Sequence, residues 1–240
     1  MSAAAERGKL AAAARALELV ESGTTLGLGT GSTADHFTRL LGARVAEGLK
    51  LCCVATSERT ASLARSLKIP LKELDEVERI DLTVDGADEL DRELRLIKGG
   101  GGALLREKLV ASASRRMVVI ADRSKLVARL GAFPLPVEIV RFGHATTARR
   151  LEEGLGQFIT GAAQAKLRLA ATTAPFVSDG GNRIFDLPCG QIADPDGLAR
   201  YLDGVVGVVE HGLFLGMATT ALVGDEQGQV EVIEAARKRG

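Results

Sequence analysis

The chain has 240 residues, 46% of them hydrophobic and 26% charged, with 31 basic against 31 acidic side chains. That balance leaves no basic excess for nucleic acid or an acidic membrane, and seven Phe, one Tyr and no Trp are poor material for base-stacking platforms. Three cysteines exclude a fully paired disulfide framework, no C-x-x-C spacing marks a metal site, and no apolar run reaches membrane length.

The Ala-rich start carries Glu6, Arg7 and Lys9 and lacks the apolar core of a signal peptide. A cytoplasmic protein with reduced, buried thiols at Cys52, Cys53 and Cys189 is expected. Residues 4–21 read as a helix with Leu10, Ala13, Ala14 and Leu17 towards one face, ended by Gly23. A strand over 25–29 turns through Gly29-Thr30-Gly31-Ser32-Thr33 into a helix that runs to about residue 41. The continuous apolar run 51–55 reads as a buried parallel strand, ends in Thr56-Ser57-Glu58-Arg59-Thr60, and precedes a helix to about residue 67. A strand over 80–84 stops at Asp85-Gly86-Ala87-Asp88-Glu89. Lys98 and four glycines then lead into a helix to about residue 114, and a strand over 117–121 ends at Asp122-Arg123-Ser124-Lys125.

Four strands thus end in polar or glycine-rich turns, which an open parallel sheet gathers at its carboxyl edge. Phe133-Pro134-Leu135-Pro136 reads as a break, followed by a strand over 137–140, a helix over 147–155, a strand near Leu167 and Leu169, and a hairpin through Asp179-Gly180-Gly181-Asn182. A helix over 194–202, started by Pro195, and strands over 205–209, 219–223 and 230–233 complete the chain. The fold class is α/β: a Rossmann-like, mostly parallel sheet with helices on both faces, plus a smaller α+β, ferredoxin-like domain. The expected division is 1–131 with 208–240 for the α/β domain and 132–207 for the smaller one.

The motifs suggest an anion cradle, one apolar-flanked carboxylate, a lysine and acids for hydroxyls. Glycine lets backbone N–H groups wrap an anion, so Gly99, Gly100 and Gly101 with the following helix start form a natural cradle. Thr30, Gly31, Ser32 and Thr33 read either as a phosphate-monoester loop or as a tight packing turn. The loop fits a dinucleotide fingerprint badly, because the third glycine would fall at Ser32, and no Gly-Lys-Ser/Thr follows for a Walker loop.

Glu107 meets Ala103, Leu104, Val110 and Ala111 at helical spacing, none of them basic. It reads either as a solvated glutamate or as a carboxyl with a raised pKa suited to general base work. Asp85, Gly86, Ala87 and Asp88 read as a magnesium site, as hydrogen-bonding groups for sugar hydroxyls, or as a helix cap. Lys98 is placed to stabilise negative charge developing at a carbonyl. Lys125 reads as an anion contact or a surface lysine, and His36, His144 and His211 as structural. Together these features suit proton transfer beside the carbonyl of a small phosphorylated sugar.

In order along the chain stand Gly29-Thr30-Gly31-Ser32-Thr33-Ala34, Asp85-Gly86-Ala87-Asp88-Glu89, Lys98-Gly99-Gly100-Gly101 through Arg106-Glu107-Lys108, and Phe133-Pro134-Leu135-Pro136-Val137-Glu138. Over nearly its whole length the chain resembles the type A ribose-5-phosphate isomerases. That resemblance implies an aldose–ketose isomerase of the pentose phosphate pathway that interconverts D-ribose 5-phosphate and D-ribulose 5-phosphate through a cis-enediolate. Glu107 matches its base, Lys98 and Asp85 match groups at the reacting end, and Asp88 matches a substrate-binding acid. Thr30 to Thr33, Gly99 to Gly101 and Lys125 match the remaining ligand segments. No metal or organic cofactor and no nucleic-acid or membrane partner is implied, and a homodimer or homotetramer is. The fourth glycine, Gly102, reads as an addition that loosens the helix start. The alternatives are a non-catalytic sugar-phosphate sensor domain, which would need a basic DNA-binding helix-turn-helix that the first 21 residues do not hold, and a nicotinamide-dependent dehydrogenase, which the broken fingerprint disfavours.

Overall fold

The computed structural model describes residues 3–171 and 173–236. The elements run α1 (Ala3–Leu17), β1 (Thr25–Leu28), α2 (Ser32–Ala46), β2 (Cys52–Ala55), α3 (Glu58–Ser66), β3 (Leu82–Asp85), β4 (Glu89–Leu90), β5 (Leu96–Ile97) and α4 (Leu104–Ser112). They continue with β6 (Met117–Asp122), β7 (Leu135–Ile139), α5 (His144–Leu155), β8 (Lys166–Leu167), β9 (Arg183–Leu187), α6 (Pro195–Asp203), β10 (Val208–His211), β11 (Leu213–Phe214), β12 (Thr220–Gly224) and β13 (Val230–Glu234). Among the described residues no helix is long and apolar enough to cross a membrane.

The main sheet has the order β13-β12-β6-β3-β1-β2, parallel except for the edge strand β13. Its inner strands are largely apolar on both faces because both are covered. In β6 the period of two sends Val118 and Ile120 to one side, against Ala12, Ala13 and Ala16 of α1 and Phe37 and Leu41 of α2. Met117, Val119 and Ala121 go to the other, against Leu90, Leu94, Phe214 and Ala221. Phe37 is fully buried, which alone contributes about 2–3 kcal/mol of transfer free energy. The chain passes from β2 over β1 to β3, so the strand order reverses at β1 and β3, and the carboxyl ends of these two strands flank the crevice where such sheets bind ligands.

The second sheet is antiparallel, in the order β10-β7-β9-β8, with α5 and α6 packed on it through Leu151, Leu155, Leu198 and Leu202. The break expected at residues 133–136 covers only Phe133 and Pro134; Leu135 and Pro136 already belong to β7. Pro136 sits inside that strand opposite Asp186 and level with the end of β10, where its carbonyl accepts the N–H of Gly212. The expected strand over 205–209 begins later, at Val208, and pairs with β7, so the chain leaves this sheet after His211. Only one arm of the expected hairpin is a strand. The turn closes through Gly181 N–H to the Ser178 carbonyl at 2.8 Å, but β9 takes β8 as its partner. A three-stranded sheet, β11-β5-β4, has no counterpart in the sequence reading; its strands are two residues long, too short for a period to register.

Candidate active site

The carboxyl ends of β1 and β3 meet at Gly29 and Asp85. A Cβ on Gly29 would lie 2.1 Å from Asp85 Oδ1, so only glycine lets the strands approach this closely. Asp85 has no solvent exposure. Its Oδ1 accepts the N–H groups of Thr30 at 3.1 Å and Gly86 at 2.7 Å, which fixes the two loops to each other. Its Oδ2 lies 2.8 Å from Lys98 Nζ as an ion pair, off the angle of a good hydrogen bond.

Lys98 follows β5 and is 2% exposed. Its ammonium donates to the Gly86 carbonyl at 2.6 Å and stands 3.5 Å from Glu107 Oε1. Burial works to lower the Lys98 pKa, but the two carboxylates beside it prevail and hold it above the ordinary value. Glu107, one turn into α4, is 3% exposed, and its Oε2 has no hydrogen-bond partner among the described residues. Burial, resisted by Lys98 and reinforced by the negative charge of Asp85 and Asp88, pushes its carboxyl up to about 8. Asp85 is also raised, again by burial against the pull of Lys98. One ammonium thus shares two buried carboxyls, and the one it touches less closely keeps its proton near neutral pH. This is the environment of a general base.

The glycine loop closes over this trio. Gly100 N–H donates to Asp88 Oδ2 at 2.7 Å, so Asp88 braces the loop rather than capping a helix. Gly102 corrects the expectation of a loosened helix start. Its φ is +85°, its N–H closes a turn onto the Gly99 carbonyl at 2.9 Å, and a Cβ there would lie 2.4 Å from the Phe176 ring. The position requires glycine. Thr30 differs from expectation in one respect. Its hydroxyl is taken up by Thr56, Ser57 and Thr60 at 2.7–3.1 Å, a network that ties the end of β1 to the start of α3. With its N–H on Asp85 as well, Thr30 shapes the cavity wall through its position rather than through a free donor.

Thr30, Gly31, Ser32, Thr33, Gly86, Ala87, Asp88, Lys98, Gly99, Gly100, Gly101, Glu107 and Lys125 all line one cavity of about 260 Å³. Asp85 alone of the expected site residues is not on its wall; it lies underneath and reaches the cavity through Lys98. Lys9, Ala5, Asp122 and Ser124 also line the cavity, although the sequence did not mark them as site residues. Lys9 is 4% exposed and pairs with Glu6 at 2.9 Å. No local signal distinguishes a lysine on an Ala-rich helix; only the docking of α1 against the sheet brings it here.

A second cavity of about 290 Å³, between α3 and α4, is lined half by apolar residues such as Val54, Leu71 and Val110 and half by polar and charged ones, and holds no buried acid–base pair. Away from both, Asp203, Glu210 and His211 come within metal-ligand reach of one another, but the Lys108 ammonium sits on Glu210 and beside His211. Burial, and then the Lys108 charge, lower His211 to about 4, and it accepts the Leu213 N–H, a structural role as expected.

The family model for ribose 5-phosphate isomerase A (phosphoriboisomerase A) matches residues 52–228. The chain belongs to the ribose 5-phosphate isomerase A family. A relative named ribose-5-phosphate isomerase A, from Parvibaculum lavamentivorans, is 56% identical over 232 residues, covering 96% of this chain and 99% of the relative. One from Nitrobacter hamburgensis is 56% identical over 227 residues, covering 94% and 97%. Among solved structures, ribose 5-phosphate isomerase from Plasmodium falciparum superposes with a TM-score of 0.89 at 36% identity, covering 98% of this chain and 99% of that one. A D-ribose-5-phosphate isomerase in complex with phospho-erythronic acid superposes with a TM-score of 0.89 at 35% identity, covering 98% and 100%. The span of the ribose 5-phosphate isomerase A match holds Asp85, Lys98, Glu107 and Lys125. The full-length relatives extend the likeness over the part of the chain that carries Lys9 and Thr30 to Thr33.

Proposed function

We propose that the protein interconverts D-ribose 5-phosphate and D-ribulose 5-phosphate, with Glu107 as the base. The observation that carries this is the Glu107 carboxyl. It is buried, has one oxygen unpartnered in the cavity wall, and stands 3.5 Å from an ammonium. The Glu107 carboxylate takes the C2 proton of the open-chain aldose. The electron pair left behind forms the C1–C2 double bond as the carbonyl electrons move to O1, giving a cis-enediolate. The Lys98 ammonium faces the developing charge. Glu107 then returns its proton to C1 while the O2 proton passes to O1, which leaves a ketone at C2 and a hydroxyl at C1. Asp85 is a positioning residue that holds Lys98, and Asp88 braces the glycine loop.

Lys9 and Lys125 supply the positive charge on the wall that suits the phosphate. Self-association as a homodimer or homotetramer is supported by Phe142, Val140 and Val206, exposed at one end of the small sheet, and light scattering gives the mass that tests it.

The deciding assay supplies ribose 5-phosphate alone and follows ketose formation. Wild type turns over without nicotinamide and in the presence of EDTA, whereas Glu107→Gln folds and loses at least about a hundredfold in kcat, the usual weight of a general base. A Glu107→Gln variant with near-normal kcat would remove Glu107 from the role. A wild type that binds the sugar phosphate without converting it would favour the sensor reading.

A further inference from the structure

The glycine loop that covers the site is held from behind by a residue far away in sequence. Arg168 follows β8 and joins the small sheet through its N–H to the Ile184 carbonyl at 2.8 Å. Its side chain is 14% exposed. Nη1 donates to the Gly99 carbonyl at 2.8 Å and the Gly100 carbonyl at 3.1 Å. The other side of the guanidinium grips Asp186 with two bonds, Nε to Oδ2 at 2.9 Å and Nη2 to Oδ1. The Phe176 ring, whose centroid is 6.0 Å from the guanidinium carbon, is the same ring that fills the space beside Gly102. Arg168 therefore meets the loop at two carbonyls, Asp186 fixes its fork, and Phe176 packs beside it.

In a trans peptide the N–H points opposite to the carbonyl it follows. With the Gly99 carbonyl on Arg168, the Gly100 N–H is turned away from it and meets Asp88, as observed. With the Gly100 carbonyl on Arg168, the Gly101 N–H is likewise turned away, and it donates to no described group while Gly101 lines the cavity. Without the guanidinium the Gly99–Gly100 peptide keeps the Gly102 N–H and Asp88, but the Gly100–Gly101 peptide loses its one described partner and is free to rotate, because glycine imposes no preference of its own.

We infer that Arg168, locked by Asp186, is a positioning residue for the isomerisation: it sets the peptide orientations of Gly99–Gly101 so that the loop presents its amide to a ligand oxygen and Asp88 stays in place. The small unit thus takes part in catalysis by shaping the cradle from outside the cavity. The inference rests on the isomerase reading. Wild type is run beside every variant, so that a wild type without activity counts against the reading and an unaffected variant counts against this inference.

The test compares Arg168→Gln, Arg168→Lys and Asp186→Asn for kcat, KM and the Kd of phospho-erythronic acid, with thermal melts alongside. Losing two charge-assisted bonds to the loop is expected to lower kcat/KM by about tenfold or more in Arg168→Gln and to weaken phospho-erythronic acid in parallel. Arg168→Lys, which reaches the carbonyls without a fork for Asp186, recovers part of the loss. Asp186→Asn, which keeps the guanidinium but releases its orientation, falls between wild type and Arg168→Gln. Guanidinium chloride at millimolar concentration, below any denaturing effect, raises kcat/KM of Arg168→Gln but not of wild type. An Arg168→Gln protein with wild-type kcat/KM and analogue affinity overturns the inference. So does one whose loss follows only its lower melting point, with no response to guanidinium or to the lysine variant. If Arg168→Gln does not fold, Asp186→Asn with wild-type kcat/KM overturns it.

Discussion

Glu107 Oε1 stands 3.5 Å from Lys98 Nζ, while Asp85 Oδ2 stands 2.8 Å from the same ammonium. The nearer carboxylate takes most of the cation's charge. The farther one lines the cavity with an oxygen that accepts no hydrogen bond, and burial raises its pKa, which is what a base that must both take and return a proton needs.

The first consequence is a pH dependence. With the Glu107 carboxyl up at about 8, the ionised base is a minority species at neutral pH, so kcat/KM should rise with pH and level off above about 8. The stability effect has the opposite direction. The folded value lies above the unfolded 4.5, so the folded protein binds the extra proton between those limits. Stability from this group is full below 4.5 and lost as pH rises through about 8. Glu107→Gln lacks that loss, and its melting temperature should gain on wild type as the buffer goes from about pH 5 to about pH 9. A rate profile flat across this range would place the base elsewhere.

Asp85→Asn separates positioning from proton transfer. The amide can still accept the N–H groups of Thr30 and Gly86, so the two loops stay joined. Removing the charge leaves Lys98 to pair with Glu107, and one of the charges that raise Glu107 disappears. The acid limb of kcat/KM should therefore move to lower pH while kcat falls by about tenfold or more, because the base is held in an ion pair. An unshifted limb would show that Asp85 does not act on Glu107.

Gly102→Ala tests the loop without touching any polar group. The methyl meets both a left-handed φ of +85° and the Phe176 ring at 2.4 Å. A loss of about 1–3 kcal/mol is expected, with a raised KM because the cradle shifts. Phe176→Ala in the same chain should relieve the clash but not the backbone strain, so stability recovers only in part. Denaturant titration of the two variants measures this.

Lys9 and Lys125 reach the wall from α1 and from the turn after β6. Replacing either with Gln should raise KM several-fold and leave kcat within about twofold, since uniform binding energy is removed. Lys9, the more buried of the two, should have the larger effect. The KM of each variant should also depend less on salt than that of wild type, because one screened attraction is gone. A fall in kcat at unchanged KM would contradict this assignment.

Much of the site was legible in the sequence because its parts are local. The run from Lys98 to Glu107, the DGADE block and the Thr30–Thr33 turn each follow a strand, and parallel strands deliver their carboxyl ends to one edge. The apolar neighbours of Glu107 within its own helix already pointed to a raised pKa. Three things were not legible. Gly102 looks superfluous until the ring of Phe176 is known to lie against it. The Thr30 hydroxyl looks available until Thr56, Ser57 and Thr60 close around it. Lys9 carries no mark at all.

The sequence alone determined which segments supply the candidate site and that strands and helices alternate into a doubly wound sheet. Periodicity and glycine placement are properties of short stretches, and short stretches settle them. Tertiary structure alone decided which carboxyl lies nearer the lysine and which lines the cavity, that a lysine of the first helix joins the wall, and that an arginine 69 residues after Gly99 bonds to the glycine loop. These depend on packing between distant segments and on how far burial excludes water, and no local pattern along a chain records either.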